Sequence, residues 1–282
     1  KGSFFLFILL SVVLCSDLLA QSKKPNVMEN GRSQGYRLKK TWKPAIFQGG
    51  NRKEAYYEGW YIKCVTADRK QSFALIPGIA LGQDGKGAHA FIQYIDGQTA
   101  QTHWYEFPVN AFSYSQQKFE VMIGGNYFSD DSISVDVGEG KDRLQANLKL
   151  TGLHPWPVKA FSPGIMGWYR FVPGMETCHG LVSWHHQAEG TLLHDKKRVV
   201  LQDGHGYIEK DWGSSFPRSY VWMQTNSFQA DSASFMCSIA TIPYMGKHFR
   251  GFLGFFWVKG KLYRFATYTH AKLENVVIGD NE

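Results

Sequence analysis

The strongest constraint in this sequence is the regular recurrence of short, apolar-alternating segments separated by glycine-containing turns. "EGWYIKCV" (Glu58–Val65), "SFALIPGIAL" (Ser72–Leu81), "HAFIQYI" (His89–Ile95), "FEVMIG" (Phe119–Gly124), "SISVDVG" (Ser132–Gly138) and "LQANLKL" (Leu144–Leu150) are rich in β-branched and aromatic residues. Several of them alternate with period two, which predicts strands. The separators "GQDGKG", "IDGQ" and "GEGKD" carry turn chemistry. No long window shows the apolar stripe of an amphipathic helix. The chain is therefore expected to be all-β, with strands spaced as in a barrel or sandwich.

The stretch 152–176 interrupts this pattern. It holds Pro155, Pro157, Pro163 and Pro173, four of the ten prolines, and prolines at this density interrupt a strand ladder. Strand-like sequence then resumes with "CHGLVSWHHQAEGTLL", "RVVLQDGHGYIEKDW", "SYVWMQTNSF", "ASFMCSIATI" and "FRGFLGFFWVKGKLYRFATY". Two units are predicted, a first barrel over 51–190 and a second, incomplete one over 191–282.

Residues 1–20 predict an export signal. Lys1 precedes the apolar run Phe4–Leu14, and Ala20 suits the last residue removed. The run is shorter than the ~20 residues of a membrane-spanning helix. A lipoprotein site at Cys15 is disfavoured because Leu14 is bulky where a small residue is needed. The expected localisation is periplasmic or secreted.

A basic arm over 21–50 follows. It and the next few residues carry Lys23, Lys24, Arg32, Arg37, Lys39, Lys40, Lys43, Arg52 and Lys53 in a chain of net charge +7. Such an arm fits either a solvated tail or peripheral contact with an anionic membrane surface. No recognition helix, zinc finger or RNP-type motif accompanies it, so nucleic acid is not an expected partner. Beyond residue 20 the cysteines are Cys64, Cys178 and Cys237, an odd set without a CxxC pair. They read as small hydrophobes, not as a disulfide framework or a zinc ribbon.

Two stretches concentrate acids among aromatics: "YYEGWYIK" (Tyr56–Lys63) and "GYIEKDWGSSFPRSYVWMQTNSF" (Gly206–Phe228). In extended chain, Glu58, Trp60, Ile62 and Cys64 share one face, and Tyr57, Gly59, Tyr61 and Lys63 the other. Tyr207, Glu209 and Asp211 likewise share a face, as do Tyr220, Trp222, Gln224, Asn226 and Phe228. Aromatics with two amides suit a cavity for an apolar molecule with a polar head.

Both stretches resemble the tocopherol cyclase family, whose corresponding motifs read F-F-E-G-W-Y-F and E-K-N-W-G-G-x-F-P-x-x-W-F-W-V-Q-C-N. They occur here in the same order, with Asp211 at the family's asparagine and a shorter, different region between them. The resemblance implies two lipocalin-like β-barrels, a fold shared with carotenoid 1,2-hydratases and some fungal Diels–Alderases. It also implies closure of a chromanol ring on a prenylated quinol, without metal or cofactor.

That reaction needs an acid strong enough to protonate a trisubstituted alkene. A carboxyl in an apolar pocket has its pKa raised and stays protonated near neutrality. The candidate acids are Glu58, Asp211 and Glu209, and the candidate substrate-binding residues Trp60, Tyr57, Trp212, Trp222, Tyr220, Gln224 and Asn226. Indole and phenol faces would stabilise the cation. Asp211→Asn is expected to be mild, given the family's asparagine, which favours Glu58 as the acid.

Structural readings stand beside these. Glu58 also suits an inter-strand ion pair with Lys210, Glu209 and Asp211 suit pairing with Lys210 and Arg218 at a turn, and the indoles suit a core. His179, His185, His186 and His205 lack metal-ligand spacing, since His185 and His186 point to opposite faces of a strand. Two other functions share this design: a hydratase, with water capturing the cation, and a non-catalytic carrier of an isoprenoid or other hydrophobic ligand.

Overall fold

The computed structural model of the chain describes residues 34–83, 86–228 and 233–274. The signal-like segment and the first part of the basic arm lie outside the described residues. Within them the fold is all-β, as expected, with fifteen strands and one short α-helix, Gln34–Lys39.

The strands are β1 Tyr56–Val65, β2 Ser72–Leu81, β3 His89–Asp96, β4 Thr102–Phe107, β5 Phe112–Tyr114, β6 Glu120–Ile123, β7 Asn126–Ser129 and β8 Ser132–Val137. They continue with β9 Leu144–Thr151, β10 Thr177–His194, β11 Lys197–Gly213, β12 Ser219–Thr225, β13 Ala233–Tyr244, β14 Lys247–Val258 and β15 Lys261–Ala266. No helix among the described residues is long and apolar enough to cross a membrane.

Eleven strands form one antiparallel sheet in the order β4-β3-β2-β1-β11-β10-β9-β8-β7-β6-β5. Its two edge strands, β4 and β5, are consecutive in the chain and joined only by residues 108–111. In a flat sheet ten steps of about 4.8 Å would hold them roughly 48 Å apart. Five extended residue steps reach only about 18 Å. The sheet must therefore coil until its edges face each other. The close approach of Phe107 in β4 to Gly124, on the β6–β7 turn, shows this meeting: a Cβ on Gly124 would stand 2.3 Å from the Phe107 ring.

The coil encloses a core of alternate side chains. Trp60, Ile62, Leu75, Ile92, Phe119, Phe128, Leu148 and Ile208 are among its buried members. Each large apolar side chain removed from water contributes roughly 1.5–3 kcal/mol. Segment 45–49 plugs the barrel beside β1, with Ile46 and Phe47 buried.

The second sheet is a four-stranded meander, β12-β13-β14-β15. Met236 and Phe255 from it pack with Trp156, Leu181, Trp184 and Tyr207 against the outside of the first sheet. Polar bonds fix the contact: Ser234 Oγ donates to the Trp184 carbonyl at 2.8 Å, and Lys63 Nζ to Gln224 Oε1 at 2.9 Å.

The division of the chain differs from the one predicted. Residue 190 falls inside β10, and 191–213 complete the β10–β11 hairpin of the first sheet. The sheets separate at 214–218. The Pro/Gly-rich stretch 152–176 contains no strand, as expected, but links β9 to β10 within the first sheet. Ladder partners decide this division. β11 pairs with β1, more than 130 residues away by chain position, and no local pattern encodes that.

Candidate active site

A cavity of ≈ 500 Å³ lies between the outer face of the first sheet and the start of the second. Its floor comes from Tyr57, Gly59 and Tyr61 of β1 and Ile76 of β2, and its side from Phe91 of β3 and Trp104 of β4. Phe216, Tyr220 and Trp222 close it from the far side.

The walls are ordered by ring contacts. Phe91 stacks on Trp104 with centroids 4.3 Å apart, Tyr57 on Phe216 at 4.6 Å, and Tyr61 meets Trp222 edge-on at 5.3 Å. Such pairs add about 0.5–1.5 kcal/mol beyond their burial. Gly78 makes room for this wall. A Cβ there would stand 2.3 Å from the Phe91 ring and 2.8 Å from the Glu58 carbonyl oxygen.

Three ionisable groups meet on the cavity surface. β10 and β11 set His179 directly opposite Asp211, and β1 and β11 set Tyr61 opposite Glu209. Alternate residues share a face, so Tyr207, Glu209 and Asp211 all project to this side. His179 Nδ1 lies 2.7 Å from Asp211 Oδ1, and His179 Nε2 lies 3.5 Å from Glu209 Oε2. Tyr207 donates its hydroxyl to Glu209 Oε2 at 2.6 Å, and Trp222 Nε1 donates to the same oxygen at 3.2 Å.

Burial and charge tune these groups in opposite directions. Burial disfavours the His179 imidazolium, but Asp211 and then Glu209 outweigh it and lift the ring to about 9. Both ring nitrogens face carboxylates, which suits a protonated ring. Burial pushes Glu209 up; His179 opposes, Asp211 adds to the rise, and the carboxyl reaches about 7. Burial, with Glu209 beside it, drives the Tyr207 hydroxyl well above the usual phenol range. The cluster thus holds a proton exchangeable near neutrality next to an aromatic-walled space.

The family model described as tocopherol cyclase-like matches residues 135–277, just over half of the 282-residue chain. The chain belongs to the tocopherol cyclase-like family. It is 21% identical over 224 residues to the chloroplastic tocopherol cyclase of Zea mays, covering 63% of this chain and 47% of that protein. It is also 21% identical over 230 residues to a probable chloroplastic tocopherol cyclase of Oryza sativa subsp. japonica, covering 63% of this chain and 48% of the relative.

The chain therefore spans about half the length of the curated relatives it matches. Among solved structures it is similar to CghA crystallised with Sch210972, at TM-score 0.49 and 13% identity over 73% of this chain and 59% of that one. It is also similar to kievitone hydratase from Nectria haematococca, at TM-score 0.44 and 10% identity over 78% of this chain and 68% of that one.

The tocopherol cyclase-like motifs turn out to serve two faces. Tyr57, Tyr220, Trp222, Glu209 and Asp211 line the cavity, as their alternation predicts. Glu58 does not offer its carboxyl there. It is wholly buried on the core side, 2.7 Å from Lys210 Nζ, and accepts the backbone N–H groups of Gln48 and Gly49 and the Tyr56 hydroxyl. The ion pair, not proton donation, accounts for this residue.

Trp60 and Trp212 also face the core. Trp60 stacks on Phe119 and donates Nε1 to the Ala45 carbonyl, and both indoles lie over the Lys210 ammonium, at 5.1 and 4.6 Å. They stabilise a cation of the protein itself. Gln224 and Asn226 do not line the cavity either: Gln224 accepts from Lys63, and Asn226 donates Nδ2 to the Gly206 carbonyl.

Sequence reasoning missed His179, Phe91 and Trp104 as cavity groups. Tyr61 was legible, since it shares a face with Tyr57. His179 was not, because its partner lies across a ladder 32 residues away. His185 and His186 do point to opposite faces: His186 is fully buried and pushed down to about 3 by burial and by His185, while the His185 ring stacks beside His205. Among the described residues, donor atoms of His179, Glu209 and Asp211 lie within 4.8 Å of one another, close enough to share a cation. Those groups already engage one another, Tyr207 and Trp222.

Proposed function

We propose that the protein is a cyclase that closes a chromanol ring on a prenylated quinol, with Glu209 as the proton donor. The observation that carries this reading is a buried carboxyl poised near neutrality on the wall of an aromatic cavity. The family membership supports the reaction class.

The chemistry proceeds as an isomerisation. The three polar contacts of Glu209 converge on Oε2, so Oε1 is the oxygen that delivers a proton. The proton adds to the less substituted alkene carbon and leaves a tertiary cation. The faces of Tyr61, Trp222, Phe91 and Trp104 stabilise that cation by about 0.5–2 kcal/mol each. The quinol oxygen, tethered in the same molecule, bonds to the cationic carbon. Its proton returns to the Glu209 carboxylate, and no atom is gained or lost. His179, held by Asp211, keeps the cluster's charge balanced while Glu209 cycles.

Prenylated quinols partition into lipid, so we place the working enzyme at a membrane surface, reached through export and held there by its basic and aromatic residues. Incubating the protein with a dimethylphytylbenzoquinol and assaying the chromanol tests the activity. Glu209→Gln should lower turnover by about 10²–10⁴-fold while ligand affinity changes little. Binding without turnover in the wild type would point instead to a carrier. Unchanged turnover in Glu209→Gln would remove Glu209 as the acid.

A further inference from the structure

A second cluster of ligating side chains sits at one end of the coiled sheet, away from the aromatic cavity. His103 of β4 and His194, the last residue of β10, both turn inward there, with ring centroids 4.1 Å apart. Asp142, from the tight turn Gly140–Asp142 that leads into β9, joins them. His103 Nδ1 lies 3.0 Å from Asp142 Oδ1, and His194 Nε2 lies 3.9 Å from the same oxygen. One ligand atom from each of the three residues lies within 4.8 Å of the other two.

Several features set this cluster apart from an ordinary hydrogen-bonded pair. His194 Nε2 is buried yet has no hydrogen-bond partner, because 3.9 Å is too long for one. An unsatisfied buried nitrogen is destabilising, and a metal bond would remove that cost. The main chain of the turn that carries Asp142 is anchored, since Tyr105 donates its hydroxyl to the Asp142 backbone carbonyl at 2.7 Å. Gly138 permits the approach, as a Cβ there would stand 2.3 Å from that carbonyl oxygen. The Tyr94 ring packs against both imidazoles and fixes their planes.

The spacing suits a small divalent ion. Ligand bonds of about 2.0–2.2 Å in a tetrahedron set donor atoms roughly 3.3–3.5 Å apart, between the two measured separations. Two imidazoles and one carboxylate are borderline donors that select zinc and its neighbours over calcium or magnesium. Asp142 is 60% exposed, which leaves an entry path and room for a water as fourth ligand. The His179 cluster also holds a buried nitrogen without a hydrogen bond, Nε2, but that atom lies 3.5 Å from the Glu209 carboxylate, which has two further donors.

We propose that His103, Asp142 and His194 form a binding site for a divalent transition-metal ion, zinc in particular, which staples β4, the turn before β9 and the end of β10. The site ties strands that are far apart in the sheet order, so the ion closes the coil where no ladder does. The role is structural and independent of the proposed cyclisation.

Titration of untagged, chelator-treated protein with Zn²⁺ by calorimetry tests it, alongside the visible spectrum of the Co²⁺ form and the thermal midpoint. One equivalent should bind with micromolar or tighter affinity, raise the midpoint by mass action, and give the absorption of a tetrahedral Co²⁺ centre. Asp142→Asn, at an exposed position, and His194→Gln should each weaken binding at least tenfold while circular dichroism stays that of the wild type. Glu209→Gln should leave binding unchanged. No saturable binding by the wild type overturns the proposal, as does binding that survives both Asp142→Asn and His194→Gln or is lost in Glu209→Gln.

Discussion

The Glu58 carboxylate and the Lys210 ammonium lie 2.7 Å apart, and neither side chain has any exposed surface. Lys210 also donates to the Ile46 carbonyl and sits over the indoles of Trp60 and Trp212. Glu58 in turn gathers the N–H groups of Gln48 and Gly49. One ion pair thus pins segment 45–49 into the barrel from two neighbouring strands. Burial pulls the Lys210 ammonium down, Glu58 restores part of the loss, and the group stands at about 8.

Removing one partner leaves an uncompensated buried charge, so Glu58→Ala and Lys210→Met should each cost about 3–5 kcal/mol. The double variant should cost clearly less than the sum, because the orphaned charge is gone. Urea unfolding of the four proteins measures this. Strict additivity would show that the two groups do not act as a pair.

Turnover should depend on a protonated Glu209 and so fall as pH rises through about 7. The sign for stability is the same. A carboxyl whose folded pKa is raised contributes stability that is complete below its ordinary value near 4.5 and is lost as pH climbs through about 7. A kcat/KM profile from pH 5 to 9 checks the first statement. A flat profile across neutrality would remove the carboxyl from the rate-determining proton transfer.

Asp211 is the largest influence raising the His179 pKa, and burial alone would lower it. Asp211→Asn should therefore move the His179 titration from about 9 toward lower pH by a unit or more. Ring nitrogen chemical shifts followed by NMR report this without any assay of activity. A titration left near 9 would mean that Glu209 alone holds the charge on His179.

Gly78→Ala and Gly59→Ala should behave differently although both glycines flank the cavity. At Gly78 the added carbon meets the Phe91 ring and a backbone oxygen at 2.3 and 2.8 Å, so the Phe91–Trp104 stack must shift. A loss of about 1–3 kcal/mol is expected. At Gly59 the nearest atom is 3.5 Å away, an ordinary contact, and the change should be near neutral. Thermal midpoints of the two variants decide between this and a common glycine effect of the strand.

An apolar patch supports the proposed membrane contact. Phe161 is 85% exposed and Trp168 52%, and Trp42, which donates to the Ala160 carbonyl, meets Phe171 beside the exposed Lys43 and Lys159. Phe161→Ser with Trp168→Ser should weaken binding to anionic vesicles about tenfold or more, since each ring withdrawn from lipid costs about 1.5–3 kcal/mol. Raising salt should weaken the wild type further. Co-sedimentation measures both, and binding indifferent to salt and to the substitutions would remove this face from contact.

Local alternation carries the all-β class and the partition of residues between strand faces. Period two is a property of a single extended chain, so residue order alone separates Tyr57 from Glu58, and Glu209 and Asp211 from Lys210 and Trp212. Which of those faces looks into the cavity depends on long-range packing. The usual signal is one apolar and one wet face, but β1 and β11 are covered on both sides, by the core and by the second sheet or the cavity it closes. Aromatics therefore occur on both faces, and Glu58 beside Trp60 looks as much like a buried acid facing a ligand as Glu209 does. The pairing of β10 with β11, which brings His179 to Asp211, and the coil that brings His103 to His194 rest on ladder and edge contacts between distant segments. Those contacts form when the sheet closes, and no stretch of sequence carries them alone.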